Sequence, residues 1–167
     1  MARSIHAGGV VVNTTLLGRA RAALSHVTDP EIPVLTIDDL GILREVETDG
    51  DRVTVTITPT YSGCPAMDVI RDDIRLALQA AGFEEVDIRT VFSPAWTTDW
   101  MSEAGRRKLA EFGIAPPHPA TGSSRPAVLC VRCRGEARTI SEFGSTACKA
   151  LMVCTECGEP FDYFKEL

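Results

Sequence analysis

Arg52-Val-Thr-Val-Thr-Ile-Thr-Pro-Thr-Tyr-Ser-Gly-Cys-Pro-Ala-Met67 contains the change of period that decides the fold. Val53, Val55 and Ile57 alternate with polar residues, the two-residue repeat of a strand with one buried face. Beyond the breaks at Pro59 and Gly63, Met67, Ile70, Ile74, Ala77, Leu78 and Ala81 form the apolar stripe of a helix that Gly82 closes. A strand therefore feeds an amphipathic helix, with Cys64-Pro65 at the helix entrance. Upstream, Ile42 to Thr48 joins Arg52 to Thr58 across Asp49-Gly50-Asp51, which predicts a hairpin. Downstream, Val86, Ile88 and Thr90 predict a third strand, and a last helix is predicted from Asp99 to Phe112, ending at Gly113. Leu16, Leu17, Ala20, Leu24 and Val27 predict a first helix that must stop before Pro30. Thr36-Ile-Asp-Asp39 predicts one capped helical turn ended by Gly41. The order helix, strand, strand, helix, strand, helix predicts an α+β sandwich whose helices cover one face of a mixed sheet.

The chain has 167 residues, enough for such a domain and a small module. With 44% apolar and 24% charged residues it has ordinary globular usage. A net charge of −6 argues against a protein held on nucleic acid by phosphate neutralisation. No apolar run approaches a membrane span, and Met1 to Gly18 carries no convincing cleavage site, so a soluble, cytoplasmic protein is expected. Residues 1–113 carry 17 acids and 11 bases, whereas residues 114–167 carry six of each. Between them, Ile114-Ala-Pro-Pro-His-Pro-Ala-Thr-Gly-Ser-Ser-Arg-Pro126 has four prolines and no helical or strand period. The predicted division is an α/β domain over 1–113, a Pro-rich linker over 114–127 and a cysteine-rich module over 128–167.

Cys130-Val-Arg-Cys133 and Cys154-Thr-Glu-Cys157 are two CxxC pairs, and each such turn aims two thiolates at one point. Together, Cys130, Cys133, Cys154 and Cys157 predict a tetrahedral S₄ site on a zinc-ribbon-like module, suited to structural zinc or a single iron. Four filled positions leave none for water. One residue departs from the common pattern: Gly158 follows Cys157 directly, but Arg134 separates Cys133 from Gly135. Cys148 is a fifth sulfur, surplus to the site; it is either a packing residue or a functional thiol beside the metal. The ribbon also carries Phe143, Phe161, Tyr163 and Phe164, more aromatics than so small a module needs, so some are expected against the first domain or a partner. On these terms the ribbon is expected to be removable, leaving a folded first domain.

Cys64 faces the amides and positive dipole end of its helix, which lowers a thiol pKa, while Asp68, Asp72 and Asp73 work against this. It is either a small residue at a cap or a reactive thiol. No histidine lies near it in sequence, which leaves a cysteine-hydrolase pair unsupported. Asp29-Pro-Glu-Ile-Pro33 is a rigid turn displaying two acids, either a helix stop or a rim of carboxylates near Cys64. Trp96 and Trp100 are read as core anchors before ligand platforms. A Glu-x-x-His pair and a dinucleotide fingerprint are both missing, so neither di-iron oxygenase nor reductase chemistry is expected of this chain.

Asp29-Pro-Glu-Ile-Pro33, Thr60-Tyr-Ser-Gly-Cys-Pro65 and Pro94-Ala-Trp-Thr-Thr-Asp-Trp-Met-Ser102 resemble the metal–sulfur cluster assembly domain family. With Ile140-Ser-Glu-Phe-Gly-Ser-Thr-Ala-Cys-Lys-Ala-Leu151 and the Cys154 to Phe164 segment, residues 14–167 resemble the family of accessory proteins in the bacterial phenylacetyl-CoA epoxidase system. The resemblance implies an iron–sulfur assembly fold for residues 1–113 and a maturation role in phenylacetate degradation, with no epoxidation by the chain itself. It maps the family's reactive cysteine onto Cys64 and its acidic turn onto Asp29 and Glu31. The implied cargo is a transient iron–sulfur cluster or iron. Implied partners are the epoxidase's iron–sulfur reductase component or its oxygenase subunits. Because one thiol cannot hold a cluster, a homodimer or a client-supplied ligand is also implied. The other reading is a non-catalytic interaction subunit whose only metal is a structural zinc.

Overall fold

A computed structural model describes residues 14–118 and 126–166. Helix α1 (Thr14–Leu24) leads to the Asp29–Pro33 turn and then to a single turn at Thr36–Gly41. That turn is capped as expected: Thr36 Oγ1 accepts from the Asp39 amide at 3.0 Å, and the Leu40 amide reaches the Thr36 carbonyl at 3.1 Å. Strands β1 (Leu43–Asp49) and β2 (Arg52–Ile57) form the hairpin around Gly50, whose φ of +59° is left-handed. Helix α2 (Ala66–Ala80) carries the chain across to β3 (Glu85–Thr90), which pairs in parallel with β2. The sheet is thus mixed, in the order β1-β2-β3, with α1 on β1, α2 on β3 and the two helices against each other. Val53, Val55 and Ile57 of β2 and Ile70, Ile74 and Leu78 of α2 are fully buried, so the two periods read from the sequence meet in one core. Charged Arg44, Glu45, Glu47 and Asp49 line the edge strand β1, which discourages pairing with another chain.

The last predicted helix is divided. A single 3₁₀ turn at Thr98–Trp100 ends at Met101, and α3 (Glu103–Phe112) begins afresh. The break belongs to Ser102, which caps α3 through the Gly105 amide at 2.8 Å and donates to Asp39 Oδ1 at 2.8 Å. Asp39 also takes Lys108 Nζ at 2.6 Å and so clasps α3 to the Thr36 turn. Burial opposes the Asp39 charge, but hydrogen bonds from Lys108, Ser102 and Thr36 outweigh it and hold the carboxyl below its ordinary range. Gly41 is fixed twice, by a φ of +69° and by the Trp100 carbonyl oxygen, which would stand 2.5 Å from any Cβ.

Gly113, at φ +94°, ends α3, and the next two residues depart from the linker expectation. Ile114 and Ala115 form β4 (Ile114–Ala115), parallel to β7 (Pro160–Phe164), in a second sheet with β5 (Ala137–Ser141) and β6 (Lys149–Cys154). The order is β4-β7-β6-β5. Two residues are too few to show a period among prolines, yet both are buried, and burial against β7 is what makes them a strand. Residues 119–125 of the expected linker lie outside the described residues.

The ribbon shares a core with the first domain. Phe164 is 1% exposed and Cys148 is 7% exposed, and both belong to the first domain's apolar cluster. Trp96 meets Phe164 with ring centroids 6.2 Å apart and donates its indole N–H to the Leu40 carbonyl at 2.9 Å. Trp96 is therefore an anchor, as read from the sequence, and one that spans both modules. Phe161 and Tyr163 fill the ribbon's own core, while Phe143 is 72% exposed. A shared core of this kind argues against a ribbon that can be removed without consequence.

Candidate functional site

The two CxxC turns are built alike. The Arg134 amide reaches the Cys130 carbonyl at 3.0 Å and the Cys130 amide reaches the Gly135 carbonyl at 2.8 Å. In the second turn, Gly158 and Glu159 take the same parts with Cys154, at 3.2 and 2.9 Å. This explains the departure noted in the sequence. Arg134 adopts the left-handed φ of 67° that Gly158 adopts, at 75°, after the second pair.

The four sulfurs of Cys130, Cys133, Cys154 and Cys157 all lie within 4.8 Å of one another. Three of the edges are 3.8 Å (Cys130–Cys157), 3.4 Å (Cys133–Cys154) and 3.5 Å (Cys133–Cys157). A tetrahedron with metal–sulfur bonds of about 2.3 Å has edges of about 3.8 Å, so the donor set fits a four-coordinate thiolate metal site. Amides of Arg132, Gly135, Glu156 and Cys157 point at the sulfurs, each at 3.4 Å. The Cys157 amide is the main cause that brings Cys154 down to about 6. Cys133 keeps its Gly135 amide but faces the sulfurs of Cys154 and Cys157, which push it up to about 12. A bound cation removes that conflict by stabilising all four thiolates at once.

A second cluster lies where the modules meet. Pro65 occupies the N-cap of α2, one residue past Cys64, and the Cys64 carbonyl accepts from the Met67 amide at 3.3 Å. The thiol is half-buried, and burial pushes it up, with Glu31 and Asp29 adding to the rise; the Ala66 amide and Thr60 oppose. The expected lowering by the helix terminus is thus overridden. The acids responsible come from the Asp29–Pro33 turn, in place of Asp68, Asp72 and Asp73. Asp29 is 7% exposed, and its Oδ1 accepts from the amides of Glu31 and Ile32, both at 2.8 Å. Burial raises its carboxyl; those amides and Lys149 act the other way.

The structure places Cys148 outside the four-sulfur group. The reading of a thiol beside the ribbon metal is therefore corrected: Cys148 is turned into the first domain's core, where burial raises it and Glu31 and Asp29 are again among its neighbours. Tyr61 feels Cys64, Glu31 and Cys148 together. Sequence reasoning missed Tyr61 and Lys149, and no spacing rule points to either. Lys149 is 4% exposed, an unusual burial for an ammonium, and lies 3.8 Å from Asp162. No helix among the described residues is long and apolar enough to cross a membrane.

Comparison with known proteins agrees with both halves of this geometry. The family described as "Iron-sulfur cluster assembly protein" matches residues 19–88, and the "PaaD zinc beta ribbon domain" matches residues 114–165, the latter beginning at β4. An Escherichia coli (strain K12) protein named as a subunit of 1,2-phenylacetyl-CoA epoxidase is 52% identical over 147 residues, 86% of this chain and 89% of its own. An "Fe-S protein maturation auxiliary factor" of Porphyromonas gingivalis is 42% identical over 88 residues, covering 52% of this chain and 83% of that protein. Among solved structures, a Bacillus anthracis domain of unknown function DUF59 superposes with a TM-score of 0.54 at 27% identity, covering 57% of this chain and 92% of the other. With an iron–sulfur assembly domain joined to a zinc-ribbon fold, the chain belongs to the PaaD family of phenylacetyl-CoA epoxidase subunits.

Proposed function

We propose that this chain is an accessory factor that assembles or delivers an iron–sulfur or iron centre for phenylacetyl-CoA epoxidase, acting through Cys64 with Asp29 and Glu31. The observation that carries the reading is the gathering of one thiol and two carboxylates at the α2 entrance of an assembly-type domain. The Porphyromonas relative's name supports maturation, and the Escherichia coli relative's name supports the client. The client is the reductase component or an oxygenase subunit, engaged in the cytoplasm. Cys130, Cys133, Cys154 and Cys157 hold one structural zinc, whose binding supplies folding free energy on the order of 10 kcal/mol.

The second reading is a non-catalytic interaction subunit carrying structural zinc alone, and it is favoured by the 72% exposure of Phe143, an aromatic suited to anchor a partner. Reconstituting the epoxidase from pre-matured components without this chain separates the two. Full activity supports maturation, and lost activity supports a resident component. Cys64→Ser should leave folding within about 1 kcal/mol, since the thiol is at most a local packing group, while epoxidase matured with it stays inactive. Normal maturation with that variant overturns the role given to Cys64.

A further inference from the structure

The outer edges of the first domain's sheet are β1 and β3, and no strand covers the outer side of β3 among the described residues. The Glu85 and Val91 amides donate to the Asp51 and Ile57 carbonyls, at 3.4 and 2.9 Å. In a parallel pair, alternate residues turn their backbone groups to the neighbouring strand. Glu85, Asp87 and Arg89 therefore face β2, and Val86, Ile88 and Thr90 turn amide and carbonyl outward, a row of donors and acceptors open to another strand. The side chains alternate too. Val86 and Ile88 pack against the core on the helix side and are only partly buried, whereas Glu85, Asp87 and Arg89 stand exposed on the opposite face. Asp87 and Arg89 meet at 3.0 Å, with side chains 49% and 61% exposed. Above this edge lies α2, which packs on β3 and has α1 on its other flank. Val69 and Leu76, two turns apart on α2, are 47% and 63% exposed.

The strand that fits this edge is β3 itself, turned antiparallel. Pairing about a two-fold axis at Ile88 sets Ile88 against Ile88 and Val86 against Thr90. Each of these facing pairs then exchanges two hydrogen bonds, so all three outward residues are satisfied. Asp87 of one copy falls opposite Arg89 of the other, and symmetry repeats the pair. These are non-hydrogen-bonded positions, where cross-strand side chains approach most closely. Other registers fare worse. A slip of one residue sets outward groups against inward ones. A slip of two loses a hydrogen-bonded pair and sets Asp87 against Asp87, or Arg89 against Arg89.

We propose that the chain forms a homodimer through β3, the two strands antiparallel about Ile88 and the two three-stranded sheets joined into one. The contact is isologous, as a two-fold dimer requires, and its register is chosen by the exchange of Asp87 and Arg89. Joining the edges also completes the burial of Val86 and Ile88. One strand pair is a small interface, so the dimer is reversible and depends on concentration. The pairing is independent of the role proposed for Cys64.

Sedimentation equilibrium of the full, zinc-loaded chain should show monomer passing to dimer as concentration rises. Asp87→Arg and Arg89→Asp each set like charges across both pairs and should weaken the dimer by about tenfold or more. Both side chains are exposed, so neither substitution disturbs the core. Mixed in equal amounts, the two variants should pair with each other at wild-type affinity, because opposite charges then face one another in both places. In amide hydrogen exchange, Val86, Ile88 and Thr90 should slow as the wild-type chain is concentrated, while Asp87 and Arg89, already bonded to β2, keep their rates. A chain that stays monomeric at its highest soluble concentration overturns the proposal, as does a variant mixture that fails to pair. A dimer that tolerates both substitutions, or whose outward amides exchange at the monomer rate, places the contact elsewhere and overturns it equally.

Discussion

Phe164→Ala tests whether the ribbon and the first domain are one cooperative unit. The ring is 1% exposed, ends β7, and packs 6.2 Å from Trp96 at an interplanar angle of 55°. Truncating a buried Phe costs about 3–5 kcal/mol, of which the aromatic pair accounts for about 0.5–1.5 kcal/mol. Against the stability of about 5–15 kcal/mol typical of a domain, that is a large fraction. The two tryptophans, Trp96 and Trp100, are in the first domain, so fluorescence reports that unit, whereas metal release to a chromophoric chelator reports the ribbon. In urea the variant's two midpoints should fall together, and stripping the ribbon metal from the wild type should lower the tryptophan midpoint as well. Two units with a passive contact would respond differently: metal release would move while the tryptophan transition stayed within about 0.5 kcal/mol of wild type. That outcome would refute the shared core and restore the expectation that residues 128–167 can be removed cleanly.

Asp39→Asn should destabilise by about 2 kcal/mol near neutral pH, because Lys108 loses its charged acceptor and a buried polar site is left imperfectly paired. The Asp39 carboxyl is held low in the folded state, so its contribution is present above the unfolded carboxyl range and disappears as pH falls through the folded pKa. Urea unfolding at pH 7 and pH 3 should therefore show a large gap between wild type and variant that narrows in acid. Gly41→Ala should cost about 2 kcal/mol or more in the same assay, combining a left-handed φ with collision against the Trp100 backbone. At the ribbon, Arg134→Gly should raise resistance to a metal chelator by about 1 kcal/mol, and Gly158→Ala should lower it by about the same amount, since both positions are left-handed.

The parts of the fold legible in the sequence are those set by local period. Val53, Val55 and Ile57, then Ile70, Ile74 and Leu78, announce a strand and a helix whose burial the structure reproduces. The two CxxC turns were legible for the same reason, because four ligands at fixed local spacing need little from the rest of the chain. What stayed hidden depends on distant packing. Ile114 and Ala115 become a strand only because β7 lies beside them, and Ser102 interrupts a helical pattern because Asp39 awaits its hydroxyl. The elevated Cys64 thiol is a case of the same kind: Asp29-Pro-Glu-Ile-Pro33 is readable as a rim near it, but the burial that is the main cause of the rise is not visible in the sequence.

The two sets of cysteines differ in what surrounds their sulfur. In the ribbon, four backbone amides aim at sulfurs that already outline a tetrahedron, an arrangement suited to a four-coordinate ion that serves the fold. Around Cys64 and Cys148, burial and neighbouring carboxylates favour the protonated thiol instead. An ion taken up by Cys64, on the proposed reading, competes with protons, so its release is helped whenever a proton returns to the sulfur. A storage or structural site gains nothing from that competition, but a site that must give up its ion to a client depends on it. On the proposed reading, a raised Cys64 thiol suits passing an ion on to a client, while the ribbon's four sulfurs serve the fold.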